Sequence, residues 1–211
     1  SFNSSEGIRP SGVGDVNTVG VSVQTNPPIA NLQVTFSDEA VPNSGGHVGH
    51  SGAHPLGSFI ARQGRTDANG RFRSLYGASI FGGTMRIRAT IGGTTREEFL
   101  EVFVPGLIEL EGGANYVLTG FANTPQHPIG TNHHGTAFAN AGLVSIADDY
   151  KNRFYGANAI PEGDKLRYND QSLSNGGKFD LPGNWCSSCS HAEHRTGINC
   201  DVGSNNIPAA R

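Results

Sequence analysis

The chain of 211 residues can hold one large or two small domains, and its thirty glycines, eleven prolines and single methionine point to a loop-rich, largely β protein. A formal net charge of -3 with no basic cluster gives no electrostatic case for nucleic acid. No run of about eighteen apolar residues is present to span a membrane.

Residues 1–19 are small and polar and read as an extended or poorly ordered arm. Val21 and Val23, then Leu32, Val34 and Phe36, alternate with polar residues at the period of half-buried strands, with Pro27-Pro28 as the turn between them. A loop rich in Gly and His runs from Pro42 to about Leu56, and strand signals resume at 58–62. Arg65-Thr-Asp67-Ala-Asn69-Gly70-Arg71-Phe72 carries a hairpin signal, since Asp and Asn tolerate turn geometry and Gly supplies positive φ. Met85, Ile87, Ala89 and Ile91 alternate with Arg86, Arg88 and Thr90. After Gly92-Gly93, strands follow at 99–104 and 116–119.

About seven short strands with turns at this spacing predict a β-sandwich. The Thr-Asp-Ala-Asn-Gly turn followed by Phe72 resembles the bacterial immunoglobulin-like and carboxypeptidase-regulatory-like modules. The resemblance covers about residues 20–110 and implies an immunoglobulin-like β-sandwich, whose domain is placed at 20–113. Beyond Gly112-Gly113 the pattern changes. Thr136 can N-cap a helix over about 137–152, with Leu143, Ile146, Ala147 and Tyr150 on its buried face. Residues 153–185 read as irregular. The expectation is a mainly β chain with an α+β C-terminal part, the second domain covering 114–211.

The densest chemistry lies between Cys186 and Val202, where all three cysteines stand with His191, Glu193, His194 and Asp201, all ligand types that Zn²⁺ accepts. His194 and Asp201 are seven residues apart. A helix would place them two turns from each other, and Gly197 argues against a helix, so a loop folding back onto a strand is the way to bring both onto one ion. His194-Arg-Thr-Gly197-Ile-Asn-Cys-Asp201 resembles the His-x-x-Gly-x-x-x-Asp signature of the LAS-type zinc peptidases, the murein endopeptidases and D-alanyl-D-alanine carboxypeptidases. Leu166-Arg167-Tyr-Asn-Asp170-Gln-Ser172 with Gly176-Gly177, and His191-Ala-Glu-His194, are similar to the same family's upstream elements. The resemblance implies Zn²⁺ at His194 and Asp201, His191 beside the site, and a peptide or cell-wall peptidoglycan amide as substrate. Arg167 is then either a clamp for a substrate carboxylate or a surface strand arginine, and Asp170 and Ser172 read as turn residues.

The family's third ligand lies in a C-terminal His-x-His element. Here Val202–Arg211 hold no His, Cys, Asp or Glu. A catalytic zinc needs three protein ligands and an open position. The chain is therefore a fragment cut before its last motif, or it borrows a ligand, or it is not catalytic. The corresponding alternative is a secreted, non-catalytic binding or structural protein with a degenerate metal site, for which self-association is one outcome.

His47, His50 and His54 stand in the Gly-rich loop, which is costly to order. They are expected to bind nothing beyond adventitious metal, the sharper alternative being a reach across to His194. His133 and His134 are expected to start the helix, one of them hydrogen-bonded to backbone. The three cysteines read as one disulfide and one free thiol, with Cys189–Cys200 or Cys186–Cys200 preferred over the strained short loop. A chain that opens Ser1-Phe2-Asn3, without Met or signal peptide, is expected to be a mature product in the extracellular space or periplasm.

Overall fold

The alternating apolar residues of the first half close into two facing antiparallel sheets in the computed structural model, which describes residues 7–120, 131–180, 182–186, 188, 190–191 and 193–203. The strands are β1 (Thr18–Gln24), β2 (Gln33–Ala40), β3 (Ser58–Phe59), β4 (Gln63–Arg65), β5 (Arg71–Gly77), β6 (Gly83–Ile91) and β7 (Thr94–Val102). One sheet is ordered β1-β5-β3 and the other β4-β2-β6-β7. Val19, Val21, Phe36, Tyr76, Met85, Ile87, Leu100 and Val102 point inward from both sheets and share one core, as period-two side chains must when two sheets pack. Phe36 is stacked between Phe59 and Phe72, with ring centroids 5.5 Å away on each side.

The Asp67–Gly70 turn forms, but not as a hairpin. Asp67 Oδ1 accepts the backbone N–H groups of Asn69 (2.8 Å) and Arg71 (2.9 Å), and Gly70 has φ 70°. β4 nevertheless pairs with β2 while β5 pairs with β1 and β3, so the turn carries the chain from one sheet to the other. Thr66 explains the difference. Its Oγ1 accepts the Leu32 N–H at 2.9 Å and donates to the Ile29 carbonyl at 2.7 Å, which fastens the end of β4 to the entry of β2.

Residues 7–19 of the N-terminal arm are also more ordered than their composition predicts, residues 1–6 lying outside the described residues. Ile8 is 1% exposed within the sandwich core, and its backbone bonds to Glu101 and Phe103. One buried isoleucine and two ladder bonds outweigh the polar residues around it.

The second half gathers around a separate core of Leu110, Tyr116, Ala147, Tyr150, Ile160, Leu166 and Tyr168. β8 (Leu107–Glu109) pairs with β10 (His134–Thr136), and β11 (Leu166–Tyr168) lies between β9 (Tyr116–Leu118) and β14 (Val202–Gly203). β12 (Phe179–Asp180) pairs with β13 (Ser190–His191). Helix α1 spans Ala137–Phe154 and is capped by Thr136, whose Oγ1 accepts the Ala139 N–H at 3.2 Å. Asn140, Ala147 and Tyr150 are its buried residues, whereas Ile146 is 56% exposed. The expected face is thus rotated toward Asn140, which donates to the Ile108 carbonyl. Residues 153–185 are less irregular than expected, since they contain β11 and β12. The described chain is mainly β with one α-helix. A peptidase-type domain over 114–211 is not shown by these short strands and small sheets.

The two halves meet backbone to backbone. Phe81 bridges Gly177, Lys178 N–H bonds to the Ile80 carbonyl and Val104 N–H to the Asn175 carbonyl, both at 2.9 Å. A Cβ on Gly82 would lie 2.7 Å from the Gly176 carbonyl oxygen, so this contact admits only glycine.

Phe36→Ala removes the middle ring of the stacked trio and is expected to cost about 3–5 kcal/mol, read as a lowered urea midpoint at unchanged slope.

Candidate metal centres

The loop that carries His194 folds back as a non-helical segment. His194 is 5% exposed, and its Nδ1–H donates to the Gln171 carbonyl at 2.9 Å. Asp201 is held by backbone bonds on either side: its N–H donates to Asp170 O at 3.1 Å, and its carbonyl accepts Asn169 N–H at 2.7 Å. Both residues are thus pinned to the same 169–171 segment. Their side chains converge, with His194 Nε2 at 3.3 Å from Asp201 Oδ1. Two ligand atoms about 2.0–2.1 Å from a tetrahedral ion stand about 3.3 Å apart, so the pair has the separation of two zinc ligands. A carbonyl fixing the imidazole from its far nitrogen is also what metal-ligating histidines use. The same pair without an ion is a half-exposed His–Asp salt bridge.

Among the described side chains, the other sequence-derived residues stand in other contacts. Arg167 is partly buried in the middle strand β11, opposite Gly203 and Val117. His191 lies in β13 opposite Phe179, and its side chain is outside the described residues. Glu193 is exposed and accepts from Asn199 Nδ2 at 3.1 Å. Asp170 and Ser172 are not turn residues: both are fully buried, and Asp170 Oδ1 accepts from Asn132 Nδ2. His133 donates from Nε2 to the Thr119 carbonyl at 2.8 Å, the backbone bond expected of a histidine at a helix start.

The cysteine pairing differs from the preferred one. Cys186 is disulfide-bonded and Cys200 carries the free thiol. Cys200 packs against the second core, and burial pushes its thiol up to about 12, which makes it a poor thiolate ligand.

A second convergence was not anticipated in this form. The Gly-rich loop is ordered against the second half, Ser51 N–H bonding to Gly183 O at 2.9 Å, and within itself, Gly49 N–H bonding to Asn43 Oδ1 at 2.8 Å. His47 is 1% exposed. The loop does reach across, but to Asp180 instead of His194. His50 Nε2 stands 2.8 Å from Asp180 Oδ1, His47 Nδ1 stands 3.7 Å from the same oxygen, and the two nitrogens are 3.3 Å apart. This is the group of three metal-type ligands that the described residues bring together. Asp180 is oriented by its other oxygen, Oδ2, which accepts Asn184 N–H at 3.0 Å and Trp185 N–H at 2.6 Å. The Trp185 ring roofs the cluster, 4.9 Å from His47, 4.4 Å from His50 and 4.2 Å from His54. Burial raises the Asp180 carboxyl, but the hydrogen bond and charge of His50, the Trp185 N–H and His47 more than offset it and leave the group below its ordinary value of 3.8. Sequence reasoning missed Asp180 because it lies 130 positions from His50 and in no motif.

No protein-family model matches the chain, and no curated protein matches it. Among solved structures, it is similar to the adhesin InvE of Yersinia pseudotuberculosis, at 15% identity and TM-score 0.41, over 97% of this chain and 65% of that one. It is also similar to the D0-D1 domain of intimin, at 18% identity and TM-score 0.30, over 41% of this chain and 39% of that one. The chain thus spans less than two thirds of either. The expected kinship with LAS-type zinc peptidases, and with it the hydrolase reading, is corrected. The solved structures found are titled as adhesin and intimin chains, and the His194–Asp201 pair meets no third ligand among the described residues.

His134 gives the second half a pH dependence. Burial lowers its pKa below the ordinary 6.5, with Glu109 opposing. The unfolded chain therefore takes up this proton first, so the contribution is complete above 6.5 and is lost as pH falls from there through the folded-state value. His134→Asn should lose less unfolding free energy than wild type between about pH 7.5 and about pH 5 in urea titrations, and an equal loss would contradict this assignment.

Proposed function

We propose that the chain is an exported, non-catalytic binding or assembly protein: an immunoglobulin-like β-sandwich fixed to a smaller α+β part that keeps a degenerate zinc site at His194 and Asp201. One observation carries the reading. The pair has zinc-ligand separation, 3.3 Å, but among the described residues it is not part of a group of three metal-type ligands, whereas hydrolysis requires three protein ligands holding an ion with an open position. Two ligands hold Zn²⁺ weakly and set no base beside a bound water. In this reading Arg167 and His191 perform no acid–base step. The disulfide at Cys186 supports an oxidising location, extracellular or periplasmic.

Incubation of the purified chain with peptidoglycan and with peptides, zinc supplied in excess, is expected to release no new amines above the rate of a His194→Ala control. Zinc titration should show a weak site that disappears in both His194→Ala and Asp201→Ala. Amine release that depends on His194 would overturn the reading.

A further inference from the structure

The cluster under Trp185 brings two imidazole nitrogens and one carboxylate oxygen against one another. His50 Nε2 faces two atoms, Asp180 Oδ1 at 2.8 Å and His47 Nδ1 at 3.3 Å. An imidazole nitrogen carries one proton or one lone pair. If it donates to the carboxylate, it cannot also accept from His47. If it accepts from His47, its lone pair faces a carboxylate oxygen. Both rings can donate to Asp180 Oδ1 as neutral tautomers, His47 from Nδ1 and His50 from Nε2, which crowds two N–H groups onto one oxygen with the rings nearly perpendicular (89°), where the His50 and Asp180 side chains are 1% and 0% exposed. A cation at the centre of the triangle receives all three lone pairs at once.

We propose that His47 Nδ1, His50 Nε2 and Asp180 Oδ1 form a binding site for a divalent transition-metal ion of the zinc type, and that the ion staples the sandwich to the second half. The three separations, 2.8, 3.3 and 3.7 Å, scatter about the roughly 3.3 Å edge of a zinc tetrahedron and need adjustments of about half an ångström. The donor set, two imidazoles and one carboxylate, suits zinc and its neighbours and not calcium or magnesium, which want oxygen alone. The surroundings also match. Asp180 Oδ2 is anchored by two backbone N–H groups, and His50 Nδ1 points at the Val48 carbonyl at 3.4 Å while its Nε2 faces Asp180 Oδ1. Trp185 and Phe81 supply an apolar wall, their rings 5.3 Å apart. Access is through a cleft of about 320 Å³ lined by His47, His50, His54 and Trp185, which leaves the fourth coordination position open to water. Two ligands come from the loop between β2 and β3 and the third from the end of β12, so the ion crosses the joint between the two cores. The site is separate from the His194–Asp201 pair and does not depend on how that pair is read.

The test uses the full chain, stripped with chelator and reloaded with Zn²⁺ or Co²⁺. Wild type should bind one equivalent tightly, show the visible spectrum of tetrahedral Co²⁺, and melt at higher temperature with Zn²⁺ than without. His50→Gln and Asp180→Asn should each weaken binding by at least the about 10–100-fold that even supporting residues of metal sites cost, and should abolish the thermal shift. Asp180→Asn keeps an oxygen for the Asn184 and Trp185 N–H groups, so its folding checks the variant series. His194→Gln and Asp201→Asn should leave the tight equivalent and the Co²⁺ spectrum intact. The proposal is overturned if wild type gains no stability from Zn²⁺, or if the bound metal is lost in the His194 and Asp201 variants and kept in the His50 and Asp180 ones. Unchanged metal binding in folded His50→Gln and Asp180→Asn would overturn it equally.

Discussion

A carboxylate with no solvent exposure has to be compensated at close range, and in this protein that requirement decides how the two halves meet. Removing Asp180 from water costs several kcal/mol unless hydrogen bonds or opposite charge replace the lost solvent. Its replacement solvent comes from two directions. Asn184 and Trp185 N–H groups serve one oxygen from its own chain segment, and the Gly-rich loop of the sandwich serves the other through His50. A loop that would otherwise be expensive to order is held because its histidines answer that buried charge. The same contact places Trp185, at φ 63°, over three imidazoles, a conformation that a non-glycine residue adopts only when its surroundings insist on it.

Around that charge the joint is made of backbone, not of bulky side chains. Ile80–Gly82 lies against Asn175–Lys178 through N–H to carbonyl bonds, and the glycines on both sides let the chains approach more closely than any Cβ would allow. Each half keeps its own core: the first, with residues from Ile8 to Val102, and the second, with residues from Leu110 to Tyr168. A joint of this kind is directional and polar. It fixes the relative setting of the halves with few apolar groups, so a bound ion at its centre would change its strength far more than it would change either core.

Period-two alternation at Val21, Val34–Phe36 and Met85–Ile91 showed the sandwich strands in advance, because one face of each is buried and the other wet. Thr136 likewise announced α1, since an N-cap is a local bond. What the sequence concealed was pairing. The Asp67–Gly70 turn has every local feature of a hairpin, but Thr66 commits β4 to β2, a choice made 37 residues away at Ile29. Ile146 had the right spacing for the helix face and lost its place because Asn140 finds a carbonyl at Ile108. Local chemistry sets what an element is, and distant hydrogen bonds set where it goes.

The two candidate metal centres divide along the same line. His194 and Asp201 are close in sequence, and a short loop pinned to residues 169–171 is enough to bring them together, so spacing alone revealed the pair. Spacing could not say whether a third donor would arrive, because a third ligand in such sites comes from another element. The His47–His50–Asp180 triangle is the reverse case. Its two histidines at i and i+3 in a glycine-rich loop look like an unstructured sequence, and nothing near Asp180 marks it as a ligand. The site exists only because the halves dock, and docking is what its donors would reinforce once an ion joined them. Donors drawn from both sides of a joint make a site whose occupancy and whose architecture would support each other.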